Sequence, residues 1–126
     1  MSHKHILLID DEETIQEVVQ VGIEIETDWH VSLASSGIEG IFVAAFQQPD
    51  AILLDIMMPE MDGVATLNRL KENYSTRSIP VILLTAKAQA SDKIQFKNLG
   101  VFGVITKPFN SLELPDKIAE ILRWES

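Results

Sequence analysis

Five residues of this chain carry groups that could together move a phosphoryl group: Asp10, Asp11, Asp55, Thr85 and Lys107. Ile6-Leu7-Leu8-Ile9 leads into the acidic pair, Ala51-Ile52-Leu53-Leu54 into Asp55, and Val81-Ile82-Leu83-Leu84 into Thr85. The apolar stretch 101–105 leads, one residue later, into Lys107. Three carboxylates drawn together repel, so at least one carboxyl pKa should rise unless a cation compensates. A hard divalent ion suits that task, and Mg²⁺ takes few protein carboxylates, keeps several waters and accepts phosphate oxygens. With such an ion bound, an ionised Asp55 could attack phosphorus and give an acyl phosphate. Phosphoryl transfer asks mostly for positioning and for neutralised charge on the equatorial oxygens. The Lys107 ammonium neutralises, and the Thr85 hydroxyl can donate to a phosphoryl oxygen. Each group also has a plainer use. Asp11 could help to start a helix, Thr85 could cap a turn, and Lys107 could be a solvated surface lysine. Those uses do not explain why the groups recur after successive apolar runs.

Short unbroken apolar runs read as strands buried on both faces, the habit of a parallel sheet. Open parallel sheets bind ligands outside the carboxyl ends of their strands, which gathers the five residues at one edge. Between the strands, Ile15, Val18, Val19, Gly22 and Ile23 fall at helical spacing and predict an amphipathic helix over residues 13–26. A second strand is predicted over 29–34 and a helix over 37–47. The loop 57–63 follows Asp55, and a helix then runs to Glu72 with Val64, Leu67 and Leu70 inward. Pro80 opens the fourth strand, and a helix over 91–99 ends at Gly100, a natural stop. The last helix starts near Asn110-Ser111, where Asn110 with Glu113 resembles a capping box and Pro115 is tolerated in the first turn. Five strands alternating with five helices define an α/β, doubly wound, five-stranded parallel sheet. Length and pattern fit the strand order 2-1-3-4-5.

The chain has 126 residues, 46% of them hydrophobic, which suits one domain with one core. No apolar stretch approaches the roughly 20 residues of a membrane span. The start MSHKHILLIDD lacks a signal peptide's layout, so the expected location is the cytoplasm. Cysteine is absent, which removes disulfide and thiol chemistry. A net charge of -9 argues against direct binding to a phosphate backbone. Part of that charge lies in Asp10-Asp11-Glu12-Glu13, where a bound cation is useful. His3, His5 and His30 share no ligand set, and the first two read as a frayed, solvated start. Trp124 reads as a packing anchor for the last helix.

The ordered set of motifs resembles the receiver domains of two-component response regulators, over essentially the whole chain. Its pieces are Ile6-Leu7-Leu8-Ile9-Asp10-Asp11-Glu12, the stretch 53–63, Pro80-Val81-Ile82-Leu83-Leu84-Thr85-Ala86, and Thr106-Lys107-Pro108-Phe109. The resemblance implies a flavodoxin-like receiver fold for residues 1–126 and a Mg²⁺-dependent phosphoacceptor, Asp55. The phosphoryl group would come from the phosphohistidine of a sensor histidine kinase or phosphotransfer protein. Asp11 and Asp55 would ligate Mg²⁺ directly, with the backbone carbonyl of Met57, while Asp10 acts largely through water. Thr85 and Lys107 would bind the phosphoryl group. The Lys107-Pro108 bond is often cis in this family, and Met57 and Lys87 lie where side chains tune water access. The implied protein is no enzyme beyond its own aspartyl phosphorylation and dephosphorylation. It would signal through protein contacts, to a downstream target or a second copy, over the face of the last two helices and the fifth strand. Neither nucleic acid nor membrane is an expected partner. The sequence ends after the expected fifth helix, in Leu122-Arg123-Trp124-Glu125-Ser126 without an output domain or a linker-like extension, so a stand-alone receiver is expected in preference to a piece of a longer regulator.

One position departs from the family pattern. Three residues before the lysine, where Tyr or Phe is usual, stands Val104. In the family's switch that ring swings inward behind the hydroxyl residue, and a valine, stiff at its one torsion, cannot. Phe102, with Phe96, could add to a partner or dimer surface, or Phe102 could pack locally against a helix.

Three alternatives compete. A Mg²⁺-dependent phosphatase or phosphotransferase with an Asp nucleophile, of haloacid-dehalogenase type, wants a second acid two residues after the nucleophile at the end of the first strand. Asp55 has Met57 there, and Asp10 has Glu12 without a suitable downstream pattern. A flavodoxin-like or dinucleotide-binding module needs a Gly-, Ser- or Thr-rich phosphate loop after the first strand, where this chain has four acids. A phosphorylation-independent docking module is disfavoured by the intact acceptor set and left open by Val104.

Overall fold

The computed structural model describes residues 3–58, 62–86 and 99–124. Five parallel strands form one sheet: β1 (His5–Ile9), β2 (His30–Ala34), β3 (Ala51–Asp55), β4 (Val81–Thr85) and β5 (Gly103–Thr106). Their spatial order is β2-β1-β3-β4-β5, the order expected. The apolar runs are unbroken because the central strands have no solvent face. Ile6 to Ile9, Ile52 to Leu54 and Ile82 to Leu84 are all fully buried. Alternate side chains serve two cores, one on each face of the sheet. Leu7, Ile9, Ile52, Leu54 and Leu83 pack under α2 (Gly37–Gln47) and α3 (Gly63–Glu72). Ile6, Leu8, Leu53, Ile82 and Leu84 pack under α1 (Glu13–Glu26) and the C-terminal helix (Leu114–Leu122).

Several expected boundaries shift for local reasons. β2 begins at His30, because Trp29 turns aside and packs edge-on against Trp124, with ring centroids 5.3 Å apart. The Lys4 ammonium lies 4.7 Å over the Trp124 ring, so this aromatic does anchor the last helix. The segment 110–122 opens as a 3₁₀ turn (Ser111–Glu113). There Asn110 Oδ1 accepts from the Leu112 N–H at 3.0 Å, and the Glu113 N–H donates to the Asn110 carbonyl at 3.0 Å. The contacts of Asn110 are thus those of a tight turn rather than of the capping box, and Pro115, which lacks an N–H, sits at the start of the α-helix proper. Four α-helices are seen among the described residues. The expected fourth of five, over 91–99, falls almost wholly outside them, and Gly100 beyond it has the left-handed φ of +79° that suits a helix stop.

His5 is no frayed terminus. It belongs to β1, faces His30 in register with ring centroids 5.2 Å apart, and its Nε2 lies 2.8 Å from Ser32 Oγ. Among the described residues no helix is long and apolar enough to cross a membrane.

Candidate functional site

Parallel strands of similar length end level, and that brings the distant chemistry together. β3 and β4 terminate in Asp55 and Thr85 themselves, β1 runs directly into Asp10, and β5 ends one residue before Lys107. The Lys107 N–H donates to the Thr85 carbonyl at 2.8 Å, continuing the β4–β5 ladder past its last pair. The Lys107-Pro108 peptide is cis. Asp10, Asp55 and Thr85 are buried, and Asp11 is exposed at the rim.

The Lys107 ammonium sits among the acids. Its Nζ is 3.2 Å from Asp10 Oδ2, 3.5 Å from Asp55 Oδ2 and 3.7 Å from Glu12 Oε1, with only 15% of its side chain exposed. That excludes the plain reading of a solvated lysine. Each buried aspartate is also fixed through its other oxygen. Asp10 Oδ1 accepts from the Glu12 N–H at 2.9 Å, and Asp55 Oδ1 accepts from the Met57 N–H at 3.0 Å. Both are Asx-type turns, and they leave the two Oδ2 atoms facing the lysine. Asp11 does not cap α1, because the N-cap residue is Glu12, whose side chain makes no capping bond.

Burial is the largest influence pushing the Asp10 and Asp55 carboxyls above their usual range; the backbone N–H bonds and Lys107 oppose it. The charge of Asp10 adds to the rise at Asp55 but is the smaller cause, so desolvation outranks the mutual repulsion expected from the sequence. For Lys107 burial pulls downward, but Asp10 and Asp55 together hold the ammonium above its ordinary value.

A raised carboxyl pKa means that ionising the group costs folding free energy. The related stability is complete below the unfolded-state pKa and is lost as pH rises through the folded-state value. In metal-free buffer at neutral pH, Asp55→Asn should therefore be more stable than the parent. A urea titration reads this directly. The gap should close as pH falls through the raised carboxyl pKa toward the ordinary carboxylate range, and a parent more stable than the variant at neutral pH would refute it.

The donor set fits a hard cation. Asp10, Asp11 and Asp55 each offer a carboxylate oxygen within 4.8 Å of the others. Oxygen-only donors suit Mg²⁺, Ca²⁺ or Mn²⁺ rather than a softer metal.

Two contributions were not evident from the sequence, the contact of Glu12 with the lysine and the part played by Gln16. Glu12 supplies the third carboxylate near Lys107. Gln16 is buried on the inner face of α1, and its Nε2 donates to the Asp10 carbonyl at 2.6 Å and to Ser35 Oγ at 3.1 Å. It ties the end of β1 to the turn after β2. The available signal was a polar residue on a helix stripe that otherwise holds Val19, Gly22 and Ile23. Val104 is half-buried against the core under α2 and α3, Phe102 is 58% exposed, and Met57 is exposed beside the site. Lys87 and Phe96 lie outside the described residues.

Comparison with known proteins agrees with this geometry. The family profile for the response regulator receiver domain matches residues 6–119. The chain is 39% identical over 118 residues to the DNA-binding dual master transcriptional regulator RpaA of Synechocystis, covering 94% of this chain and 48% of that protein. It is 36% identical over 121 residues to the alkaline phosphatase synthesis transcriptional regulatory protein PhoP of Bacillus subtilis, covering 96% and 49%. Among solved structures, it resembles the receiver domain of the sensor histidine kinase PA1611 from Pseudomonas aeruginosa PAO1. That structure has a magnesium ion coordinated in its active site cleft; it superposes with a TM-score of 0.82 at 29% identity, covering 98% of each chain. The chain belongs to the response regulator receiver domain family. It spans about half the length of the curated regulators just named.

Proposed function

We propose that residues 1–126 work as one receiver domain in which Asp55 accepts a phosphoryl group from the phosphohistidine of a sensor histidine kinase or phosphotransfer protein. The observation that carries this reading is the setting of Asp55 Oδ2. It lies 3.5 Å from the Lys107 ammonium, while Oδ1 is tied to the Met57 N–H. One oxygen is thus held as a handle and the other left as the nucleophile. As the Asp55 Oδ2–phosphorus bond forms, the phosphorus–nitrogen bond of the donor breaks and its electron pair stays on the imidazole. The Lys107 ammonium then pairs with a phosphoryl oxygen, and the Thr85 hydroxyl donates to another. Asp10, Asp11, Asp55 and the Met57 carbonyl would hold Mg²⁺, which when bound neutralises charge on the transferring group. Hydrolysis ends the cycle: water attacks phosphorus, the phosphorus–Oδ2 bond breaks, inorganic phosphate leaves and the Asp55 carboxylate is restored, so the chemistry is confined to the domain's own aspartate. Output passes from the cytoplasmic domain to a protein target, or to a second copy, over the β5 and C-terminal helix face. Phe102 is exposed on that side, and Val104 takes the place of a swinging ring.

The test is the intact mass after incubation with acetyl phosphate, with and without Mg²⁺, beside Asp55→Asn. The expected result is one phosphoryl adduct that needs Mg²⁺ and is lost in the variant. An adduct that persists in Asp55→Asn would remove Asp55 as acceptor. Sustained turnover of a small phosphate ester would favour the phosphatase reading instead.

A further inference from the structure

Helix α2 packs on the core through Ile41 and Val43 as well as through small residues, yet it leaves its largest side chains outside. Its buried residues are Gly37, Gly40 and Ala44, all small, whereas its bulky Ile38, Phe42 and Phe46 are 52%, 71% and 89% exposed. The inner face is small for a steric reason. A Cβ added at Gly40 would collide with Ile9 Cδ1 and stand 2.6 Å from Ile9 Cγ1, so at this position the helix rides too close to β1 for anything larger. Nothing comparable explains the outer face. An ordinary surface helix turns its polar side to water, and a helix that is apolar all round is normally covered.

We propose that this face is covered by the same face of a second copy of the chain, in an antiparallel α2–α2 contact about a two-fold axis. Three observations select a second copy. First, Ile38, Phe42 and Phe46 stand at i, i+4 and i+8, one continuous ridge. Ridges of that kind on two helices interdigitate at about −50°, and both partners use the same ridge, as an isologous two-fold contact requires. Phe42 then meets Phe42 of the other copy, and Ile38 meets Phe46. Second, the chain carries a net charge of -9, yet between Ser36 and Gln48 the sole charged residue is Glu39. The Glu39 carboxylate already accepts the Ser35 N–H of its own copy. Two acidic molecules can therefore approach through this window with a single carboxylate on each side, tied back to its own backbone, and a strongly charged partner finds little on it to pair with. Third, aromatic side chains offer about 150–250 Å² each, so the ridge exposes on the order of 400 Å² per copy. Pairing covers about twice that before the rim is counted, close to the roughly 1,000 Å² at which a specific contact becomes stable. The contact is therefore a reversible dimer, and it is separate from the β5 face.

Sedimentation velocity of the full chain over a wide concentration range tests this. The parent is expected to show a monomer–dimer equilibrium, and Phe42→Glu and Phe46→Glu should each weaken it at least about ten-fold, since each would place a carboxylate in the apolar contact. Both positions are on the surface, and an unchanged Mg²⁺-dependent thermal shift would show that the site remains folded. Because the chain has no cysteine, Phe42→Cys supplies a single thiol on the two-fold axis and should form an intermolecular disulfide on mild oxidation. Ile25→Cys, on the exposed side of α1, should not. A parent that stays monomeric throughout overturns the proposal, including the case in which Phe42→Glu loses a different protein partner. A dimer that survives Phe42→Glu but is lost in Phe102→Ser also overturns it, because the contact would then lie on the β5 face.

Discussion

Replacing Lys107 with methionine is expected to slow phosphoryl uptake from acetyl phosphate by about 100-fold, in line with the loss of one preorganised charge partner in a transfer reaction, and to tighten Mg²⁺ binding. The two effects run in opposite directions for one reason. The ammonium lies 3.2 Å from Asp10 Oδ2 and 3.5 Å from Asp55 Oδ2, among the carboxylates that the metal would use. It repels an incoming dication and competes for the same lone pairs, so removing it should raise affinity about ten-fold, or about 1.4 kcal/mol. During transfer that same ammonium is needed at the phosphoryl group. Methionine keeps much of the lysine's aliphatic stem, so packing is largely conserved and the change is one of charge. Calorimetric titration with Mg²⁺ gives the first number, and time-resolved intact mass the second. Unchanged metal affinity would mean that the ion pairs with Asp10 and Asp55 do not shape the metal site.

Gly63→Ala should destabilise the domain by about 3 kcal/mol, the upper end for overpacking a tight interior. A Cβ at this position would collide with Ile56 Cα and stand 2.7 Å from the Asp55 carbonyl oxygen and 3.0 Å from Ile56 C. All three are backbone atoms, so no rotamer change relieves the contact. The helix cannot readily slide away either. Asp62 Oδ1 accepts from the Ala65 N–H at 2.8 Å, fixing the start of α3, and the Gly63 N–H donates to the Ile56 carbonyl at 3.1 Å. What yields is the end of β3, which carries Asp55, so phosphoryl uptake should fall along with stability. Chemical denaturation and the acetyl phosphate assay should move together. A cost below about 0.5 kcal/mol, the scatter of neutral surface changes, would show that the approach of α3 to β3 is looser than these distances state.

Much of the architecture was legible because burial on both sheet faces writes itself into sequence as unbroken apolar runs. The ends of α1 and α2 fell where expected, and Ser36 caps α2 by accepting from the Glu39 N–H. The site residues were legible because the parallel arrangement places strand ends together whatever lies between them. Lys107 and Asp10 are 97 positions apart in sequence and 3.2 Å apart in space. What stayed hidden depends on tertiary detail. That burial outweighs repulsion in raising the Asp10 and Asp55 carboxyls follows from how α1 and the neighbouring strands cover them, which spacing does not encode. Gln16 looks like any polar residue until the turn after β2 is in place to receive it. The orientation of α2 was hidden for a different reason. With apolar residues on every side, periodicity cannot say which face points in, and the close approach at Gly40 decides it.

The Trp29–Trp124 contact, with Lys4 laid over it, gathers the two ends of the described chain at one corner. Lys4 immediately precedes β1, so that corner lies at the amino edge of the sheet, while Asp55 lies at the carboxyl edge. A five-residue strand rises roughly 16 Å, which sets the distance between the chemistry and any neighbour joined at either end. Such a neighbour would sit clear of the kinase's approach to Asp55. Held at that corner and away from the β5 face, it would sense the charge state of the aspartate through the length of the sheet, as a load felt at the far end of a short, stiff beam.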